Sequence, residues 1–203
     1  MIEVEVITSP AAAASALDPI RSQLLAELTQ PASAAALASR LGLARQKVNY
    51  HLRALEEHQL VSVAEERQWG GLTERLLVAS AASYVVSPSA LGGVAADPGR
   101  TTDRLSASYL IALAARVVRE VGELWHAARK ANKRLATLSL DATIRFRSPE
   151  DRAAFTHELT EAMTSLAARY HDDTTPGGRP HRLVLASYPL PAADNRKGET
   201  KCQ

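Results

Sequence analysis

Residues 2–7 alternate apolar with charged positions, Ile2, Val4 and Val6 against Glu3 and Glu5. That period of two predicts a short strand with one buried face. An alanine-rich stretch follows. Asp18-Pro19 then predicts a helix start, with Asp as the cap and Pro at the first helical position. Ile20, Leu24, Leu25 and Leu28 supply its inward stripe until Gln30-Pro31 ends it. Ser33 caps a second, short helix carrying Ala36, Leu37 and Leu41, and Gly42 stops it because glycine accepts the left-handed conformation of a tight exit. A third helix is predicted from about Ala44 to Gln59, with Val48, Leu52 and Leu55 on one side. A short helix, a glycine turn and a longer helix over residues 33–59 make helix-turn-helix geometry.

Two strand-like runs come next, Leu60 to Val63 and Arg75 to Val78, with Gly70-Gly71 between them as a hairpin-turn signal. This predicts a β-wing attached to the third helix, and Tyr84 to Pro88 adds a further extended piece. Residues 87–100, rich in Pro, Gly and small side chains, read as a linker. A long helix is then expected over 101–133, on the order of 50 Å at ~1.5 Å per residue. Its apolar positions Leu110, Leu113, Val117, Val121, Leu124 and Ala128 advance by three or four, while Ile111, Val118 and Trp125 form a second row. Two rows predict two packing partners, the chain's own body and a second subunit.

The remainder reads as a small α/β unit. Leu138, Leu140, Ile144 and Phe146 alternate with polar residues up to Arg147, as a half-buried strand would. Ser148-Pro149-Glu150-Asp151 opens a helix with cap, proline and first-turn acids in favoured places. The stripe of that helix is Phe155, Leu159, Ala162, Met163, Leu166 and Tyr170, and His181 to Tyr188 forms another strand. The expected fold is α+β, mainly α. Its parts are an N-terminal strand and lead-in (1–16), a winged helix-turn-helix domain (17–88), a linker (89–100), a long dimerisation helix (101–133), a C-terminal α/β unit (134–190) and a tail (191–203). The pattern leaves open whether the N-terminal strand joins the C-terminal sheet of its own chain or of a partner.

Composition narrows the function. The chain of 203 residues is 46% hydrophobic and 23% charged, an ordinary globular balance. A net charge of +2 excludes a large overall cationic field, so any attraction to nucleic acid must be local. It is local. Between Glu27 and Glu56 there is no acid, but Arg40, Arg45, Lys47 and Arg53 are all present. With Val48, Leu52 and Leu55 inward, Arg45, Gln46, Asn49, Tyr50 and Arg53 fall on or beside the outward face. Arg, Gln and Asn can make paired hydrogen bonds to base edges, while Lys, Tyr and Arg can hold phosphates. Arg67 and Arg75 flank the wing tip, where a backbone or minor-groove contact would be made, although Glu65 and Glu66 dilute its charge.

These residues carry a family resemblance. Asp18-Pro19-Ile20-Arg21, Ala36 to Leu43, Val48 to Glu56 and Leu60-Val61 together resemble the ArsR-type winged helix-turn-helix of bacterial transcription regulators. Thr73 to Leu76 and Tyr84 to Pro88 resemble the wing region of its longer members. The resemblance spans roughly residues 17–88. It implies a homodimer on a palindromic operator, usually a repressor released by an effector. Its recognition contacts fall here on Arg45, Gln46, Lys47, Asn49, Tyr50 and Arg53. Two departures stand out. Ala44 replaces a capping Ser, and the cysteine pair of metal-sensing members is missing, with His126 alone on the long helix.

Other chemistry is thin. The single cysteine, Cys202, excludes an intrachain disulfide. There is no phosphate-binding glycine loop, no Ser nucleophile elbow and no zinc-binding helix motif, so no enzyme, no cofactor and no metal are expected. His171-Asp172-Asp173 reads as a cap-and-turn. His51 reads as packing or a phosphate contact, and His58 as a helix end. Trp125, Tyr109, Tyr170 and Tyr188 read as core, Trp125 also as dimer interface. No apolar run approaches the ~20 residues of a membrane span, and the acidic N-terminus is unlike a secretory signal. The expectation is a cytoplasmic homodimer that binds double-stranded DNA. Leu110, Leu113, Val117, Val121, Leu124 and Trp125 lie in its interface, and a small-molecule effector has room in the C-terminal unit. The rival is a protein-interaction module on the same fold.

Overall fold

The computed structural model describes residues 2–69 and 72–191. The chain divides into two compact units, Met1–Ala136 and Thr137–Gln203. The first contains β1 (Ile2–Ile7), α1 (Pro10–Leu17), α2 (Pro19–Glu27), β2 (Ala32–Ser33), α3 (Ala34–Leu41), α4 (Arg45–Glu57), β3 (Val61–Trp69), β4 (Leu72–Ala79), β5 (Ala81–Val86) and α5 (Ala107–Lys130). The second contains α6 (Pro149–Tyr170). Gly70-Gly71, the predicted turn, and the tail with Cys202 lie outside the described residues.

Local chemistry sets most of these boundaries. The Asp18 carboxylate accepts hydrogen bonds from the backbone N–H of Ile20 and Arg21, both at 3.0 Å, and starts α2. Ser33 caps α3 by accepting from the N–H of Ala36. Gly42 closes that helix at φ 64° and ψ 30°, and the N–H of Leu43 reaches back to the Ala38 carbonyl. The alanine-rich stretch is itself a helix, α1, capped by Ser9 and opened by Pro10, the same pattern that starts α2.

The core of the first unit lies where the helices meet the base of the wing. Leu24, Leu28, Leu37, Val48 and Leu55 are fully buried, each adding roughly 1.5–3 kcal/mol on removal from water. Strands β2, β4 and β3 form one antiparallel sheet, in which Val61 pairs with Ala79 and Arg67 with Glu74. A register shift between Val63 and Glu65 interrupts the wing ladder, the kind of irregularity that increases local twist. Strand β1 pairs in parallel with β5 of the same chain, Val4 opposite Ser83 and Ile7 opposite Val86. The Tyr84 hydroxyl donates to the Leu60 carbonyl at 2.9 Å, fastening β5 to the root of the wing.

Three expectations are corrected. Residues 87–100 are not a loose linker. They wind into two 3-10 turns, Pro88–Val94 and Pro98–Arg100, and Asp97 meets Arg116 of α5 at 3.3 Å. Helix α5 begins at Ala107 rather than 101, because Ser106 is the residue that caps it by accepting from the N–H of Tyr109. Its 24 residues span about 36 Å.

The third correction concerns the second unit. Neither 138–147 nor 181–188 forms a strand, so among the described residues of this unit α6 is the one helix and the rest is irregular. An alternating pattern marks a face that needs cover, and without a ladder partner it is not a strand. The cover is missing here: Leu140, Leu166 and Tyr170 are exposed, and α6 buries no residue fully. Phe146 does pack on Phe155, with centroids 5.3 Å apart.

Candidate nucleic-acid interface

Helix α4 is amphipathic. Val48, His51, Leu52 and Leu55 are buried, and at ~100° per residue this fixes the rest of the helix. Arg45, Gln46, Asn49, Tyr50 and Arg53 gather on the opposite side, where they line one open concavity of about 530 Å³. Lys47 is exposed but projects from the adjoining flank. The helix starts at Ala44 with no side-chain cap. Its first backbone N–H groups therefore keep their hydrogen-bonding capacity beside Arg45, a place where a phosphate oxygen is well received.

Three unpaired cations lie on this helix. Among the described residues Arg45, Lys47 and Arg53 pair with no carboxylate, whereas Arg40 is held by Glu27 at 3.4 Å. Tyr50 is 65% exposed although large and aromatic, and its ring stands edge-on to His51 with centroids 5.3 Å apart. Donors, a carboxamide pair and an exposed phenol on one face of a helix can engage base edges and backbone oxygens together.

Behind this face runs a polar network that sequence reasoning left undefined. His51 is buried, and its Nδ1 accepts from Arg21 Nε at 3.4 Å and lies 3.9 Å from the Asp18 carboxylate. Arg21 also donates to Ser15, which is buried in α1. His51 therefore keys α4 to the start of α2 and, through Arg21, to the last turns of α1, rather than facing outward. The Asp18 carboxyl is held below its ordinary range, first by the N–H of Arg21, then by the charges of Arg21 and His51. The clue in the sequence was the pairing of Asp18, a helix cap, with a histidine on the inward side of α4.

The two wing cations are placed differently. Arg67 makes a bidentate pair with Glu65 at 2.9 and 3.0 Å on its own strand, which raises the guanidinium pKa and lowers that of the carboxyl. Arg75 reaches back to α4, where both its terminal nitrogens bind the Glu56 carboxylate, and Glu66 lies 3.7 Å away. The structure therefore brings Arg45, Gln46, Asn49, Tyr50 and Arg53 together, and leaves Arg67 and Arg75 engaged by acids.

On α5, the expected interface residues form a coherent row. The side that meets the body is small or polar: Ala112 is buried, Gly122 lies against Val6, and Arg129 pairs with Glu5 at 2.8 Å. Helix geometry puts Leu110, Leu113, Val117, Val121 and Leu124 roughly opposite. Val121 is 42% and Leu124 54% exposed, while Leu110, Leu113, Val117 and Trp125 are half-buried. The contacts of α5 with β1 and the 3-10 turns thus run through Gly122, Arg116 and Arg129, which belong to neither apolar row. His126 does not stand alone either, since its Nε2 lies 2.8 Å from the Val6 carbonyl and 3.4 Å from Glu5. Among the described residues no three His, Cys, Asp or Glu side chains are grouped to hold a metal ion, and no helix is long and apolar enough to cross a membrane. Asp172 forms a turn, accepting from the N–H and hydroxyl of Thr174, just past the end of α6.

Comparison with known proteins singles out the same stretch of chain. A family model described as "Helix-turn-helix domain" matches residues 16–64, from the end of α1 to the start of β3. Among solved structures, NolR from Sinorhizobium fredii is similar at 23% identity, over 36% of this chain and 68% of that one, with a TM-score of 0.30. No curated protein matches the chain. Residues 16–64 are a helix-turn-helix domain, and the β3–β4 hairpin beside it makes the fold a winged one.

Proposed function

We propose that this protein is a homodimeric, sequence-specific DNA-binding transcriptional regulator, acting as a repressor that a non-metal effector releases. The observation that carries the reading is the outward face of α4. Three unpaired cations, two side chains suited to base edges and an exposed tyrosine share one helix, uncovered among the described residues. A duplex major groove admits such a helix, with Arg45, Gln46, Asn49 and Arg53 toward bases and Lys47 and Tyr50 toward phosphates. Arg67 and Arg75 contribute once a phosphate competes for their carboxylate partners.

Dimerisation supplies the rest. Two recognition helices must enter successive major grooves ~34–36 Å apart, and a second copy packed on the apolar row of α5 would fix that separation. That row is the surface the chain itself leaves uncovered at Val121 and Leu124. A change in the angle of the α5 pair would then alter DNA affinity from a distance.

Selection of genomic DNA fragments by the purified protein tests the function and yields the half-site spacing. Affinity for a selected fragment should fall with salt at a log–log slope of about −0.9 per phosphate contact. Lys47→Ala combined with Arg53→Ala should flatten that slope without changing the protein's mass in solution. Absence of enriched fragments, or salt-independent binding, would favour a protein-interaction role instead.

A further inference from the structure

A second concavity opens on the first unit away from the α4 face, with a volume of about 630 Å³. That is within the ~300–1,000 Å³ range of small-molecule sites. It is walled by β1, the start of α1, the residues just past the C-terminal end of α4, Ser80 and the last turn of α5. Its floor includes Val6, Ala12 and Leu60, apolar side chains that would receive an apolar body. Its rim is polar and mostly cationic. Glu5 is the one acid in the lining, and it already holds Arg129 at 2.8 Å and His126 at 3.4 Å. Lys130 and His58 have no partner among the described residues. Arg129 and Lys130 against Glu5 leave an excess of one positive charge before either histidine takes a proton.

The backbone here is also unusual. Gln59 lines the site at φ 59°, a left-handed conformation that a residue with a side chain rarely adopts. The N–H of Leu60 returns to the Leu55 carbonyl at 2.9 Å, so this is the left-handed exit that closes α4. The conformation turns the chain sharply after α4, between His58 and Leu60 in the lining.

We propose that this cleft is a binding site for a small organic anion, a carboxylate or phosphate monoester on an apolar body. Lys130 and His58 take the anionic head, and Val6, Ala12 and Leu60 take the body. Because Lys130 ends α5 and His58 ends α4, one ligand touches both the helix proposed to read DNA and the helix proposed to join subunits. That regulatory consequence rests on the proposed function, whereas binding itself does not.

Benzoate and phenyl phosphate are the probes, titrated into the full chain carrying Trp69→Phe so that Trp125 is the remaining tryptophan. The Trp125 ring lies 6.0 Å from the Arg129 guanidinium and so reports on this rim. A saturable fluorescence change is expected with a Kd of about 1 mM or tighter, weakened about tenfold or more by Lys130→Glu or His58→Ala. Arg152→Ala, an exposed cation on α6 that does not line the cleft, should leave it unaltered. No saturable change with either anion, or an affinity that neither cleft variant lowers, overturns the site. The titration contains no DNA, so its failure is distinguishable from failure of the regulator reading. With binding established, an unchanged affinity for a selected DNA fragment at saturating anion would overturn the regulatory consequence, and a changed one supports it.

Discussion

Arg75, on the returning strand of the wing, is bound through both terminal nitrogens to the carboxylate of Glu56, near the end of α4. The wing is thereby tied to α4 by charge as well as by its shared core. The same contact neutralises a cation of the wing, and it holds the Arg75 guanidinium pKa above its ordinary value.

Exchanging Glu56 for Ala should release Arg75. Because the pair is largely exposed, the effect on stability should stay under about 1 kcal/mol. Binding to a DNA duplex should become more salt-dependent, the slope steepening by about 0.9 if Arg75 gains one phosphate. Adding Arg75→Ala should restore the original slope. A slope that ignores both substitutions would remove Arg75 from the interface.

The apolar row on α5 gives a second expectation. Val121→Asp together with Leu124→Asp places charge on the side of the helix that faces away from the body. Sedimentation should show the mass fall from two chains to one, while the helical circular dichroism signal is retained. Loss of helical signal along with mass would show that the row packs within one chain.

Gly122 supplies a third. A Cβ built there would stand 2.8 Å from Val6 Cγ1, closer than real side chains approach. Gly122→Leu must push α5 off β1, at a cost of about 1–3 kcal/mol from overpacking. The denaturant midpoint should drop accordingly, and Val6→Ala in the same chain should recover part of the loss.

Acid titration tests the network behind the recognition face. The Asp18 carboxyl is lowered in the fold, chiefly by the Arg21 N–H, so its ionised form is the stabilising one. Its contribution is complete above the unfolded value near pH 4 and disappears as the pH falls through the lower folded value. Asp18→Asn keeps a capping oxygen without the charge. The difference in urea midpoint between the two proteins should therefore be constant near neutrality and shrink below about pH 4. A difference that persists unchanged at pH 3 would assign the role of Asp18 to shape alone.

What could be read from the sequence was what the chain encodes locally. Asp18-Pro19, Ser33, Gly42 and Ser148-Pro149 each mark a helix boundary through backbone hydrogen bonds a few residues away, and each appears where the sequence puts it. The outward face of α4 follows from three buried positions and the helical step. Long-range pairing was less legible. Nothing near Ile2 says that its neighbour is Ala81, and nothing near Arg75 says that strand register delivers it to Glu56. On α5, Gly122, His126 and Arg129 meet the body, contacts that a hydrophobic pattern does not reveal. In the second unit, alternation over 138–147 gave a face but could not supply a ladder partner.

The pairing of β1 with β5 has a practical consequence for anyone excising the DNA-reading part of the molecule. A fragment cut at residues 17–88 would carry the whole helix-turn-helix and the hairpin, yet β5 would lose its one neighbouring strand and Ser87 the carbonyl of Ile7 that receives its N–H. The smallest excision that keeps those bonds begins at Ile2. Because α5 rests on the same strand through Gly122 and His126, it extends to Lys130, and a bulky fusion placed directly ahead of Ile2 would crowd the seam that this excision is meant to preserve.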